Sequence, residues 1–157
     1  MKLSTKGRYA VMAMVELAAR KAGDTPTTLA EIAKSQEISL SYLEQLFGRL
    51  RRGGLVNSVR GPGGGYTLSR PSDQIRISEI VHAVDETLRA TRCMGNPELG
   101  CRKDGSRCQS HELWAALSDQ IRFFLGSVSL ADVVEKRVIG GGAPLAAQAA
   151  RAEIAAE

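Results

Sequence analysis

Apolar side chains recur at helical spacing over residues 4–22, with Ala10, Val11, Met14, Val15, Leu17 and Ala18 on the repeating positions and charges at both ends. The pattern predicts a first helix, closed by the turn Gly23-Asp24-Thr25-Pro26. Thr28 stands three residues before Glu31. At that spacing a hydroxyl caps a helix start and a glutamate reaches back to it, so a second helix is expected over residues 29–35. After Gln36-Glu37-Ile38, Ser39 and Ser41 offer caps for a third helix through Arg52, with Leu43, Leu46, Phe47 and Leu50 on one face and Gly53-Gly54 as its stop. Two short helices joined tightly, the second amphipathic, form a helix-turn-helix pattern.

The rhythm then changes. Leu55-Val56-Asn57-Ser58-Val59-Arg60 and Tyr66-Thr67-Leu68-Ser69-Arg70 are β-prone runs around Gly61-Pro62-Gly63-Gly64-Gly65, which reads as a hairpin. Directly after a helix-turn-helix, such a hairpin is a wing. Helical spacing returns with Ser78 as the expected cap and Ile80, Val81, Val84 and Leu88 inward. A loop over residues 91–109 leads into a long helix bearing Leu113, Trp114, Leu117, Ile121, Phe124 and Leu125. So wide an apolar face has little to pack on in one small chain, and pairing with a second copy is expected. Ser129 and Asp132 open a short final helix to about Arg137, and the Gly- and Ala-rich residues 139–157 are expected to form a mobile tail. The fold class is mainly α. A winged helix-turn-helix DNA-binding domain spans residues 1–88, a ligand-bearing loop 89–111, and a dimerisation helix with the short final helix 108–138.

Composition sharpens this. At 157 residues, 43% hydrophobic and 4% aromatic, the chain fits one modest core built from Leu, Val, Ile, Ala and Met, too small for a multi-part enzyme. Residues 1–60 carry ten lysines and arginines against five acids, more than the whole-chain excess of +4. A positive field gathered on the helix-turn-helix segment suits double-stranded DNA. On the third helix Ser39, Ser41, Tyr42, Glu44 and Gln45 are placed to read bases. Gln can pair with adenine, and Glu can accept from the cytosine amino group while repelling phosphate. Arg49 and Arg51 are expected on phosphates, and Arg60 in a minor groove beside the glycine-rich turn. That turn lacks the Gly-Lys-Ser/Thr ending of a nucleotide loop.

The sharpest chemistry lies in Cys93-x7-Cys101-x6-Cys108-x2-His111. Three soft thiolates and an imidazole within nineteen residues can surround one metal centre, with Cys108 and His111 one turn apart on a common side. By spacing alone the set leans toward structural zinc, although the intervals exceed the usual short knuckles; an iron-sulfur cluster and unligated thiols stay open. The neighbouring Arg92, Arg102, Lys103 and Arg107 suit an anionic centre or plain solvent. A Ser-His-Asp enzyme has no support: only two histidines exist, no Gly-x-Ser-x-Gly elbow is present, and His82 reads as a buried or interface residue. With no membrane-length apolar run and no secretory leader pattern, a cytoplasmic location and no membrane partner are expected.

Four segments carry a resemblance. They are Leu3-Ser4-Thr5-Lys6-Gly7-Arg8-Tyr9-Ala10, Ile38-Ser39-Leu40-Ser41-Tyr42-Leu43-Glu44-Gln45-Leu46-Phe47, Gly54-Leu55-Val56-Asn57-Ser58-Val59-Arg60-Gly61-Pro62-Gly63-Gly64-Gly65-Tyr66, and Ala90-Thr91-Arg92-Cys93. Over residues 1–138 the chain resembles the iron-sulfur cluster regulator (IscR) family of bacterial winged-helix transcription factors. The resemblance implies a homodimeric repressor whose [2Fe-2S] cluster, supplied by cluster-assembly machinery, sits on Cys93, Cys101, Cys108 and His111. It also implies that cluster occupancy selects the DNA sites bound and represses the genes that build clusters. Here the inter-cysteine intervals are longer than the family pattern, while Cys108-x2-His111 is retained. A regulator of the same family that senses nitric oxide or redox state, or that holds zinc, is the alternative.

Overall fold

The computed structural model describes residues 5–20, 25–84, 101–102 and 104–138. Cys93, Leu88 and the expected tail over 139–157 lie outside them. Helix α1 (Thr5–Ala19) is the spine, with Ala10, Ala13, Met14 and Leu17 removed from solvent entirely. Small residues on that stripe let other helices approach closely. Helices α2 (Leu29–Gln36), α3 (Leu40–Arg52), α4 (Ile77–Ala83) and α6 (Leu130–Val134) all pack on it. The core continues through Ile32, Leu43, Leu46, Phe47, Leu50, Ile75, Ile80 and Leu130. Each large aliphatic side chain buried this way contributes roughly 1.5–3 kcal/mol.

Helix α2 starts as its sequence demands. The Thr28 hydroxyl accepts from the Glu31 N–H at 3.3 Å, and the Glu31 carboxylate accepts from the Thr28 N–H at 2.8 Å. It ends at Glu37, whose φ of 54° and ψ of 38° turn the chain left-handed toward α3. Two expected caps are not made. Ser39 precedes α3 without a side-chain hydrogen bond, and Ser78 lies inside the first turn of α4. In α4 the Glu79 carboxylate, rather than a serine hydroxyl, accepts the Arg76 N–H at 2.8 Å.

Strands β1 (Val56–Val59) and β2 (Gly65–Leu68) form one antiparallel hairpin, with Val56 opposite Leu68 and Val59 opposite Gly65. Only Val56 of β1 is buried; the strand then runs into solvent. Phe47 of α3 meets Tyr66 of β2 edge-on at 4.8 Å between ring centres, fastening the hairpin base to the core. A 3-10 turn, Ser72–Gln74, which periodicity does not reveal, leads to α4.

Helix α5 (His111–Ser127) packs chiefly against α4. It leaves Leu113, Trp114, Leu117, Phe123 and Phe124 exposed, Leu113 by 63%, and of these Leu113, Leu117 and Phe124 line one stripe. Among the described residues nothing covers that stripe. Ser129 and Asp132 cap α6 reciprocally, at 3.1 and 3.0 Å, as their spacing predicts. His82, expected to be buried or at an interface, is exposed in this single chain. No helix among the described residues is long and apolar enough to cross a membrane.

Candidate DNA interface and cysteine-histidine loop

Helix α3 is held by its apolar stripe, so its opposite face is fixed in direction. Ser39, Ser41, Glu44 and Gln45 are exposed on it. Because Ser39 makes no cap, the first N–H groups of α3 are available to an outside acceptor such as a phosphate oxygen. Two expected contact residues are drawn elsewhere. Tyr42 is half-buried and packs edge-on against Tyr9, with ring centres 6.0 Å apart. Arg49 is half-buried, and its Nη1 donates to the Val84 carbonyl at 3.4 Å. Both lie on the flank where α3 meets its neighbours, which periodicity places only to within a turn. Leu40, passed over by the polar pattern, is 44% exposed at the opening of α3. An apolar group there can meet a thymine methyl.

Arg51 Nη1 donates to the Ser58 hydroxyl at 3.3 Å, tying the end of α3 to the first strand of the hairpin. Beyond it Arg60 is exposed at the approach to the turn. The turn closes with the Gly64 N–H on the Gly61 carbonyl at 2.9 Å. A side chain at Gly64 would start 2.4 Å from the Val59 carbonyl, so the tight tip needs glycine there. The result is a narrow basic projection beside an exposed helix face. That shape allows the helix to enter a major groove while Arg60 reaches an adjacent minor groove.

Just ahead of α5, Cys101 Sγ lies 3.1 Å from His111 Nδ1. Cys101, Cys108 and His111 are all half-buried. The Ser110 hydroxyl and then the Cys101 thiol hold the Cys108 thiol below its ordinary range by hydrogen bonding. The turn is closed by the His111 N–H on the Cys108 carbonyl at 3.0 Å, and the Trp114 indole donates to the Ser110 hydroxyl at 3.2 Å. Spacing suggests Cys108 and His111 as the natural pair, yet the loop brings the more distant Cys101 onto the imidazole. Among the described residues no three cysteine, histidine or acidic side chains are gathered closely enough to hold a metal ion. The donor types still suit a soft centre: at the opening of α5 Cys101 pairs with His111, and the Cys101 thiol hydrogen-bonds with that of Cys108.

The sequence signature of the Rrf2 family, described as iron-dependent transcriptional regulators, matches residues 3–136. The chain is 52% identical over 139 residues to the HTH-type transcriptional regulator IscR of Xenorhabdus nematophila, covering 88% of this chain and 82% of that one. Among solved structures it resembles CymR, the global cysteine regulator of B. subtilis. There the TM-score is 0.70, with 35% identity over 87% of this chain and 98% of that one. It also resembles T. potens IscR, at a TM-score of 0.69 and 34% identity, over 92% of this chain and 93% of the other.

Proposed function

The chain belongs to the Rrf2 family of iron-dependent transcriptional regulators, and from that premise we propose that it is a cytoplasmic homodimeric repressor that reads the occupancy of a [2Fe-2S] cluster and governs genes for cluster assembly. It is a transcription regulator, not an enzyme. The observation that carries the cluster reading is the approach of Cys101 Sγ to His111 Nδ1, 3.1 Å, beside Cys108 and at the start of the helix with the exposed apolar face. Cys93, Cys101, Cys108 and His111 would hold the cluster, delivered by cluster-assembly machinery. When bound, it supplies an anionic, redox-active centre whose presence depends on iron and sulfide supply.

The chain's own residues do the rest. Ser39, Ser41, Glu44 and Gln45 face the bases, Arg51 and the opening of α3 take phosphates, and Arg60 enters a minor groove. Tyr42 and Arg49 act from the flank, bracing α3 through Tyr9 and the Val84 carbonyl. Because His111 is the first residue of α5, ordering the loop constrains the helix on which two copies pair.

The test is an anaerobic visible spectrum followed by DNA binding with and without the cluster on duplexes selected by each form. A red-brown absorbance lost in Cys101→Ala, from a variant that stays a folded dimer, is expected, together with different affinities for the two forms. A colourless zinc protein, or identical affinities, overturns the reading.

A further inference from the structure

The angle of the wing is not set by the core alone. Beyond Val56 the first strand is exposed along its length, and the hairpin is anchored only near its base, by Val56, Tyr66 and Leu68 on the core and by the Thr27–Tyr66 backbone pair. The remaining contacts at the junction with the recognition helix are polar. Arg70, two residues past β2, meets the Glu79 carboxylate at 2.5 Å and donates to the Gln74 carbonyl at 3.2 Å and the Gly54 carbonyl at 3.4 Å. Gly54 is where α3 gives way to β1, and the Ser69 hydroxyl also donates to its carbonyl, at 2.6 Å. The second oxygen of Glu79 accepts the Arg76 N–H, and the Arg76 guanidinium reaches the carbonyl of Ser127, the last residue of α5, at 3.4 Å. One carboxylate therefore stands between the end of the long helix and the junction of the recognition helix with the wing.

We propose that Glu79 is a positioning residue for DNA binding: through Arg70 it holds the base of the wing at the angle from which Arg60 reaches the minor groove. The inference rests on the winged-helix reading above. The side chains of Arg70 and Glu79 are 31% and 42% exposed. An ion pair so open to water adds little to stability, so its consequence is direction rather than folding energy. The planar guanidinium makes that direction definite, since its fork engages a carboxylate and two carbonyls from three different segments at once.

A double-mutant cycle tests this, using a duplex that the wild-type protein selects from a random library. Glu79→Gln lowers affinity about fivefold when Arg60 is present, and by less than about 1.5-fold in an Arg60→Ala background, because a misdirected wing that lacks its arginine has nothing further to lose. A purely structural role would shift the unfolding midpoint and give equal losses in both backgrounds; equal losses overturn the inference alone. Arg60→Ala without effect removes the wing reading and the inference with it. Should Glu79→Gln fail to fold, Arg70→Lys replaces it in the same cycle. That variant keeps the charge but cannot reach the Gly54 and Gln74 carbonyls together, and it is expected to show the same dependence on Arg60.

Discussion

Thr27 and Tyr66 exchange both backbone hydrogen bonds, at 2.9 and 2.8 Å, so the residue before the cap of α2 is sewn to the second strand of the wing. Gly65 makes the seam possible, because a Cβ there would sit 2.4 Å from the Thr27 carbonyl oxygen. Gly65→Ala must push backbone against backbone, with no flexible side chain to yield. Chemical denaturation is expected to show a loss of about 2 kcal/mol or more, with DNA affinity falling because the wing's root is displaced. An unchanged midpoint would mean that the seam opens freely.

Glu37 occupies the turn between α2 and α3 with a positive φ of 54° that glycine adopts without steric cost. Its side chain is exposed. Glu37→Gly is therefore expected to stabilise the fold by up to about 1 kcal/mol, read as a higher unfolding midpoint at unchanged slope. A lower midpoint would show that the added freedom of the unfolded chain outweighs the relieved strain.

Acid should weaken the protein through its helix caps. The Ser129 hydroxyl, and after it the Ser129 N–H, hold the Asp132 carboxyl below the usual carboxylate range despite partial burial, which acts the other way. Glu31 is likewise lowered by the Thr28 hydroxyl and then the Thr28 N–H. A carboxyl depressed in the folded state binds protons more readily when unfolded. Its stabilisation is complete above the unfolded pKa, near about 4, and is lost as pH falls through the folded value. Denaturation midpoints should accordingly be level at neutral pH and decline below about pH 4–5. Asp132→Asn should lie lower at pH 7 and converge with the wild type in acid; parallel curves would discount the cap.

Leu113, Leu117 and Phe124 share one face of α5 and are all exposed in the single chain. Leu117→Glu puts a charge at the middle of that stripe. Sedimentation is expected to show a monomer in place of a dimer, while circular dichroism stays helical. DNA affinity should drop at least tenfold, since two half-sites can no longer be engaged together. A stable Leu117→Glu dimer would move the interface elsewhere.

The chain's local patterns determined a good deal by themselves. Thr28 with Glu31, and Ser129 with Asp132, mark helix starts because a capping box needs only residues three apart. The apolar stripe of α3 and the glycine-rich tip specify an amphipathic helix and a hairpin, and the donor types of Cys101, Cys108 and His111 are those that soft metals take. Ser78 makes no cap because the Glu79 carboxylate serves the start of α4, and Ser39 holds the N-cap position of α3 without a side-chain hydrogen bond, since a hydroxyl near a helix start does not compel a cap.

Tertiary structure decided what meets what. Tyr42 turns onto Tyr9 and Arg49 onto Val84 because each sits at the edge of the helix face, where packing neighbours outweigh the pull of solvent. Cys101, not Cys108, reaches the His111 ring because the loop's backbone turns govern that distance. Arg70 and Glu79 carry no sequence signal, since they lie in different elements and meet only when the hairpin base folds against α4. Periodicity reports the neighbours a residue has along its own helix or strand. Contacts between elements follow from how those elements pack, and only the folded chain contains that information.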